Sequence, residues 1–382
     1  SSDVCSSDLI DLALLKNRFT LSVDYYDNQS KDLLLFVPIS STYGYTTQYQ
    51  NIGKSSNKGY EFQTSVVIAS KPRGLNWNAN FNIAFNTNRI EQLGRNQQLF
   101  YPAASWGVSG QPTDYIVKIG QPVGAMYGLV NDGFYSVNDF NYTNGVYTLK
   151  SGVVSNAGII GVVQPGAVKY KDLNGDGIID LNNDRTIIGN PTPKFTGGLN
   201  QQLSFKQWDF SLFVNFSYGN DVYNANKIEL TNGYTANSNM LKLMEQRWKV
   251  VTPTGETAQW VSGNTVYGIA PDRLAALNAN AKIWQPIKSS GAFYPSSWAI
   301  EDGSFLRFNN FTIGYSLPAT KLLKTGISKL RIYFTANNFA LITNYSGYDP
   351  EVSVRNNPLT PALDYSAYPK TRTFIFGINT TF

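Results

Sequence analysis

The sequence predicts an all-β fold of antiparallel strands, and three observations support this prediction. Apolar and polar residues alternate over long stretches, most clearly at residues 75–88, where Trp77, Phe81, Ile83 and Phe85 are separated mainly by asparagines. The connections between such stretches differ greatly in length. Charged residues make up only 15% of the chain and aromatic residues 14%, whereas soluble domains carry about 25% charged residues. Only a β-strand places alternate residues on two opposite faces.

The alternating stretches follow one another along the whole chain. Each has one face rich in Phe, Ile, Leu, Val and Tyr and another rich in Asn, Gln, Ser and Thr, and in the stretch 209–218 the alternation is broken only by Phe213. The run at 75–88 exceeds the usual 5 or 6 residues of a soluble strand, by about a factor of two. In chain order, the predicted strands are 19–25, 60–68, 75–88, 195–205, 209–218, 311–317, 330–337 and 371–382.

The lengths of the connections indicate which kind of β-protein this is. Short links at 70–74, 206–207 and 318–326 alternate with long segments at 91–193, 219–303 and 340–369. Outer-membrane barrels have short periplasmic turns, long extracellular loops and aromatic girdles at both interfaces. The sequence therefore predicts part of an antiparallel transmembrane outer-membrane β-barrel, with about eight to ten strands and long extracellular loops. The mean hydropathy of -0.23 fits a barrel with a polar interior and hydrated loops.

Composition excludes several other classes of protein. Apolar runs fall short of the roughly 18 residues of a spanning helix. The net charge of +5 without a basic cluster gives no support for nucleic-acid binding. The chain has no histidine, so it lacks the commonest general base and has no Ser-His-Asp triad. The acid pairs Glu301/Asp302 and Asp349/Glu351 flank predicted strands, and we expect no catalytic residues, no organic cofactor and no enzymatic activity.

The first nine residues differ from the rest of the chain. They contain the only cysteine, Cys5, within a near-repeat of Ser-Ser-Asp that matches no neighbouring pattern. This pattern is typical of translated adapter sequence, so residues 1–9 are predicted to be non-native and residues 10–382 to form the barrel segment. Neither an initiator Met nor a signal peptide is present. We therefore expect the chain to be the C-terminal part of a longer protein.

A candidate metal site lies in the first long connection. Asp172, Asn174, Asp176 and Asp180 have the oxygen spacing of a calcium loop, with Gly177 at the sixth position. The Ile178 carbonyl occupies the seventh position, and Asp184 lies one residue beyond the place of the usual bidentate carboxylate. The alternative is an Asx-rich turn that needs no metal. The predicted ligands of Ca²⁺, the only expected cofactor, are Asp172, Asn174, Asp176, Ile178, Asp180 and Asp184.

Aromatic residues in or beside the long connections have two possible roles. They could stack on sugar rings, or they could pack within the loops and in the membrane girdle, and packing is the favoured interpretation. Residues 240–250 have helical composition, and we expect a short helix within a loop there. The aromatic residues concerned are Tyr101, Trp106, Trp260, Trp284 and Trp298.

Four ordered motifs resemble those of SusC/RagA-type TonB-dependent outer-membrane transporters. Residues 298–318 (WAIEDGSFLRFNNFTIGYSLP) resemble a strand signature of that family, and 326–351 continue it in the same order. Upstream, residues 172–195 contain DLNGDG, IIGNP and PKF, which match as well. Asn51, Gly53, Asn57, Gly59 and Glu61 resemble a strand pair of TonB-dependent receptors in general. The resemblance extends over about residues 10–382.

The resemblance implies a large plugged barrel, of about 22 strands, in the outer membrane of a Gram-negative, Bacteroidota-type bacterium. It also implies a SusD-like lipoprotein partner, contact with TonB through an N-terminal region, surrounding outer-membrane lipid, and a glycan or peptide as transported substrate. The chain would hold the last third to half of that barrel. Because open sheet edges are not tolerated in hydrocarbon, such a segment is not expected to work alone.

Two other interpretations remain open from the sequence. One is a complete small outer-membrane barrel with a structural or adhesive role. The other is a soluble, calcium-stabilised β-protein that binds glycans. A terminal aromatic residue, Phe382, resembles the assembly signal of outer-membrane barrels and speaks against the soluble protein.

Overall fold

The computed structural model describes residues 2–39, 42, 44–45, 47–72, 74–94, 97–106, 112–231, 239–286, 294–322, 326–354 and 357–382. Its main feature is a nine-stranded antiparallel sheet in which every strand pairs with its neighbours in the sequence. Long alternating runs thus form strands, as predicted. The strands are β1 (Ser2–Leu14), β2 (Phe19–Pro38), β3 (Thr47–Ser70), β4 (Leu75–Gln92), β5 (Phe195–Phe205), β6 (Trp208–Tyr218), β7 (Phe305–Ser316), β8 (Lys329–Thr343) and β9 (Thr373–Thr381).

The first strand, β1, was not predicted from the sequence, in which the first predicted strand was 19–25. Residues 2–14 pair with β2 in one uninterrupted antiparallel register, from Ser2 opposite Lys31 to Leu14 opposite Phe19. The segment 2–9, which was set apart from the fold, therefore forms most of β1. Its non-native origin stays a prediction. Within the described residues, β1 and β9 each pair with one strand of the large sheet.

The connections alternate in length along the sheet, as predicted. Residues 15–18, 71–74, 206–207 and 317–328 join strands at one end, and 39–46, 93–194, 219–304 and 344–372 join them at the other. Because consecutive strands are antiparallel, the first four of these connections, here called short, lie at one end of the strands and the other four, here called long, lie at the opposite end. The segment 39–46 is the exception in size, because it is shorter than 317–328. The C-terminal strand β9 also ends on the side of the short connections. Arg73, in one of the short links, lies outside the described residues.

One face of the sheet is apolar across all nine strands. Trp77, Phe81, Ile83 and Phe85 share this face, and Leu199 lies directly opposite Phe81 on the next strand. Much of this surface is exposed, up to 82% at Phe376, which is typical of a surface that faces lipid. The strand register places one apolar residue from each of the nine strands on this face: Ile10, Val23, Phe62, Phe81, Leu199, Val214, Phe311, Phe334 and Phe376.

Aromatic side chains concentrate near both ends of this apolar face. Trp208 packs on Tyr315 near the short connections, with ring centroids 4.9 Å apart. Phe195 stacks on Tyr218 near the long connections, at 5.0 Å. The 11 residues of β6, at about 3.3 Å each and about 40° tilt, span roughly 25 Å of depth, which is the height of the apolar band of outer-membrane barrels. The two groups therefore lie where girdles at the two interfaces are expected.

The long connections fold into small sheets and short helices. One four-stranded sheet contains Phe140–Thr143, Val146–Leu149, Gln259–Ser262 and Thr265–Gly268, and another contains Leu99–Phe100, Tyr115–Lys118, Ala125–Leu129 and Arg185–Gly189. Asn131–Phe134 pairs with Val168–Tyr170, and Asp221–Asn224 pairs with Ile300–Asp302 and Leu363–Asp364. The α-helices are Ala157–Ile160, Ala225–Thr231 and Pro271–Leu277, and the 3-10 helices are Val137–Asp139, Lys242–Gln246, Ser297–Ala299 and Ala319–Lys321.

The well-packed core of the chain lies in these connections. Tyr115, Met126 and Tyr223 belong to one buried cluster, and Leu129 and Ile179 to a second, while the large sheet contributes few buried residues. The helix expected within 240–250 is present as the 3-10 helix Lys242–Gln246. Among the described residues, no helix has the length and apolar character needed to span a membrane.

Candidate functional site

The polar face of the large sheet is the candidate functional surface. Because side chains alternate along a strand, this face carries the residues that lie between those of the apolar face. Neighbouring carboxamides hydrogen-bond across strands: Asn88 Nδ2 donates to Asn57 Oδ1 over 2.8 Å, and Asn310 Nδ2 donates to Asn337 Oδ1 over 2.7 Å. Asn88 Oδ1 also accepts from the N–H of Val123, and Asn310 Oδ1 from Thr312 Oγ1. Each amide has two donor hydrogens and two acceptor lone pairs, so capacity for a solute remains.

The polar wall is not entirely uncharged, because acidic and basic side chains lie on it as well. Asp24 on β2 lies directly opposite Glu61 on β3. Near the short connections, Arg331 Nε donates to Asp209 Oδ1 over 2.9 Å, across the intervening strand β7. Gly314 on β7 makes this possible, because a Cβ there would lie 2.6 Å from both Arg331 Nε and Asp209 Oδ1.

A cavity of about 590 Å³ lies against the polar wall near the long connections. Strands β4, β5 and β6 supply Asn82, Gly198, Phe213 and Asn215 on one side. The segment 350–353, from the connection between β8 and β9, lines it as well. The 344–372 connection therefore folds back over the polar face, which identifies this face as the inner wall of the barrel segment.

Arg307 fixes this connection to the wall. The side chain of Arg307 is only 3% exposed, and its Nη2 donates to Asp349 Oδ1 over 2.6 Å while its Nη1 donates to Asn338 Oδ1 over 2.7 Å. The Nε lies 2.8 Å from Glu351 Oε2 but without a hydrogen-bonding angle. Lys370 completes the network, with Nζ 3.2 Å from Asp349 Oδ2. Removing one partner of such a buried ion pair leaves an uncompensated charge and is strongly destabilising.

The acid pairs noted in the sequence take part in structural networks. Glu301 Oε1 accepts from Ser346 Oγ over 2.8 Å and lies 3.3 Å from Lys227 Nζ, and Glu301 Oε2 accepts from Ser346 N. Burial by itself would raise the pKa of Glu301. The bonds from Ser346, together with Lys227 and Asn224, outweigh burial, and the pKa of this carboxyl is lowered from its ordinary value. Asp349 and Glu351 are engaged by Arg307 and Lys370.

The aromatic residues of the loops divide into two groups. Trp106 and Trp284 are buried, and Trp298 packs on Trp284 with centroids 5.1 Å apart, so packing within the loops is the observed role of these three residues. Tyr101 and Trp260 are exposed, and Trp260 stacks on Tyr267 in the loop sheet. All five lie outside the large sheet, and none of them lines the cavity above the polar wall.

The candidate calcium loop is held by a network of Asx turns. Asp172 accepts hydrogen bonds from the backbone N–H groups of Gly175 and Gly177, and Asp176 Oδ1 accepts from the N–H of Ile178. Asn174 Nδ2 donates to Asp176 Oδ2 over 2.8 Å. These are the contacts of a turn that satisfies its own polar groups.

The last two candidate ligands are engaged in the same way. Asp180 Oδ1 accepts from the N–H groups of Asn182 and Asn183, which lower the pKa of its carboxyl. Asp184 is fully buried, and its two oxygens accept from the N–H groups of Leu173 and Asp180. Across the described residues, which include all of 172–184, the acidic side chains form no group of three or more that could hold a metal ion. Binding of Ca²⁺ therefore stays a prediction.

Three residues of the site, Phe213, Arg307 and Asp349, were not predicted as site residues from the sequence. Phe213 was visible only as a break in an otherwise alternating pattern. Arg307 lies within the 298–318 motif and Asp349 within the 326–351 motif, but their contact joins residues 42 positions apart. The structure therefore shows that these two family-like motifs meet at one buried ion pair.

Comparisons with known proteins identify the relatives of the chain. A TonB-dependent receptor (P3) of Formosa agariphila is 33% identical over 378 residues, which are 98% of this chain and 33% of that receptor. The TonB-dependent receptor SusC of Bacteroides thetaiotaomicron is 27% identical over 383 residues, covering 98% of this chain and 31% of SusC. The chain thus spans about a third of the length of these relatives. The search of protein-family models found no match.

Solved structures show the same fold. A structure of the RagAB peptide transporter superposes with a TM-score of 0.69 at 19% identity, covering 98% of this chain and 35% of that one. A structure of the RagAB peptide importer in its open-open state gives a TM-score of 0.67 at 20% identity, with 100% and 34% coverage. The large sheet therefore has the fold of a segment of an outer-membrane β-barrel, and the chain is similar over almost its whole length to about a third of a SusC/RagA-type TonB-dependent receptor.

Proposed function

We propose that the intact protein imports a large nutrient across the outer membrane of a Gram-negative, Bacteroidota-type bacterium, and that residues 10–382 form the C-terminal part of its barrel. The observation that carries this proposal is the division of the nine-stranded sheet into two faces. One face is apolar and exposed, as contact with lipid requires. The other is lined mainly by carboxamides and hydroxyls and encloses a cavity beneath the 344–372 connection.

Glycans are the proposed cargo. Carboxamide and hydroxyl groups donate and accept hydrogen bonds without holding a charge, and this suits solutes that are rich in hydroxyl groups. Charged groups on the wall include Asp24 opposite Glu61, the paired Asp209 and Arg331, and Arg307, which is paired with Asp349. Peptides are the second candidate, because the similar solved structures are of a peptide transporter.

The proposed partners follow from the relatives. A SusD-like lipoprotein would cover the side of the long connections, and TonB would act through a region N-terminal to this chain. Support comes from the names of the relatives, TonB-dependent receptors and SusC among them. Transport would then need no catalytic residue in this chain, and the Asx loop 172–184 would add bound Ca²⁺ on the side of the long connections.

Deletion of the gene tests the function. We expect loss of growth on one complex glycan and normal growth on its monosaccharides, and we expect removal of TonB to reproduce the defect. Uptake that continues without TonB would indicate a passive pore and would contradict the proposal. A gene in which a signal peptide directly precedes residue 10 would favour a small structural or adhesive barrel, and recovery of the protein in the soluble fraction would favour a soluble calcium-stabilised glycan binder.

A further inference from the structure

Phe213 is the one large apolar side chain that interrupts the polar side of its alternating strand. Its neighbours across the sheet are Asn200 on β5 and Asn310 on β7, so it lies among carboxamides. Phe213 is 42% exposed and lines the cavity of about 590 Å³. An exposed phenyl ring gains less hydrophobic stabilisation than a buried one, and the described residues of this chain leave Phe213 partly uncovered.

The residues around Phe213 leave its ring accessible. A Cβ at Gly198 would lie 3.3 Å from Phe213 Cε2 and 3.0 Å from Asn82 Oδ1. The ring and the amide of Asn82 therefore both lie close above position 198, where the wall has no side chain. Asn215, two residues along β6, lines the same cavity and accepts from Asn309 Nδ2 over 2.6 Å. One aromatic face and two amides thus border a single space.

The 344–372 connection encloses this space from the other side. Pro350 to Ser353 line the cavity, and the buried pair between Arg307 and Asp349 holds the connection next to it. The enclosure is therefore formed by residues that are fixed in place by a buried ion pair. A bound molecule would contact the wall and this connection together.

We propose that Phe213, Asn82 and Asn215 form a subsite for one neutral pyranose ring of a glycan; this rests on the proposed function and specifies its substrate contact. A pyranose has one face of C–H groups, which packs on the electron-rich face of an aromatic ring. Its hydroxyl groups at the ring edge both donate and accept, as carboxamides do. An apolar peptide side chain would use the ring but would leave the two amides without partners, at a cost in affinity.

Calorimetric binding to the intact purified receptor tests the subsite. The probes are maltohexaose, laminarihexaose, cellohexaose and mannohexaose, and a pool of unmodified heptapeptides serves as the comparison. For the oligosaccharide that binds, we expect Phe213→Leu to weaken affinity roughly tenfold, because leucine keeps the apolar volume but has no ring face. Phe213→Tyr keeps the ring and should stay within about twofold of the unmodified receptor. Trp260→Ala removes an exposed aromatic residue outside the cavity and should leave the affinity for the oligosaccharide unchanged.

The possible outcomes separate the subsite from the proposed function. If an oligosaccharide binds and Phe213→Leu binds it equally well, the subsite is wrong and glycan import stands. If only peptides bind, or if no probe binds the unmodified receptor, glycan import and the subsite fall together. Retained mobility of the folded barrel on unheated gels shows for each variant that the loss is one of binding and not of folding.

Discussion

Replacing Phe81 by arginine tests which face of the sheet meets lipid. Phe81 is on the apolar face, stacks on Phe216 with centroids 6.2 Å apart, and lies opposite Leu199. It lies about 20 Å along β4 from Leu75, which at about 40° tilt corresponds to roughly 15 Å of depth in an apolar band about 25 Å tall. This places it near the middle of the bilayer, where an arginine on the lipid face costs about 2 to 4 kcal/mol.

The adjacent residue provides the matched control. Asn80 lies on the polar face opposite Asn200, where an arginine would remain in contact with water and polar groups. At about 1.4 kcal/mol per factor of ten, Phe81→Arg should lower the ratio of folded to unfolded receptor roughly 30-fold to 1000-fold, and Asn80→Arg should leave it nearly unchanged. The assay is denaturant titration of the receptor in lipid vesicles, followed by gel mobility. Equal stability of the two variants would refute the assignment of the faces.

Three further predictions concern topology, metal and pH. On whole cells, a cysteine at Gln207 should be shielded from impermeant thiol reagents while cysteines at Asn138 and Asn264 are labelled, and the reverse pattern would contradict the orientation. Calorimetry should detect Ca²⁺ binding that Asp176→Ala weakens; heat changes identical to those of buffer would leave only an Asx turn. Because the folded pKa of Glu301 is lowered, the stability it contributes is present above its unfolded pKa and decreases as pH falls through the folded pKa. Protease digestion of the 344–372 connection should therefore speed up in acid, and Glu301→Gln should digest quickly at neutral pH as well.

Strands with strict alternation were predictable, and strands without it were predicted too short. Residues 75–88 form most of β4 as expected. By contrast, β2 continues to Pro38 and β3 begins at Thr47, through an apolar run at 33–37 that has no period of two. The pairing of β2 with β3 shifts register twice near Leu33. A bulge changes which face a residue occupies, so alternation no longer marks the strand.

The candidate site was predictable only in its general chemistry. The polar wall follows from alternation, because a strand with one apolar face presents its other residues on the opposite side. The cavity does not follow, because it depends on where the 344–372 connection folds back over the sheet. That position is set by contacts such as Arg307 with Asp349, which join distant parts of the chain. Alternation carries no information about such contacts. The sequence therefore could not show that Phe213 and Pro350 line the same cavity.

The distribution of buried residues indicates how the two parts of the chain are stabilised. In the large sheet, apolar side chains are exposed on one face and need lipid to cover them, so the sheet depends on its membrane and on neighbouring strands at β1 and β9. The connections bury residues such as Tyr115, Met126 and Leu129 completely and so contain their own core. The Arg307 network joins these two parts, because it links β7 to the 344–372 connection. Displacement of that connection must therefore break a buried ion pair or carry it along.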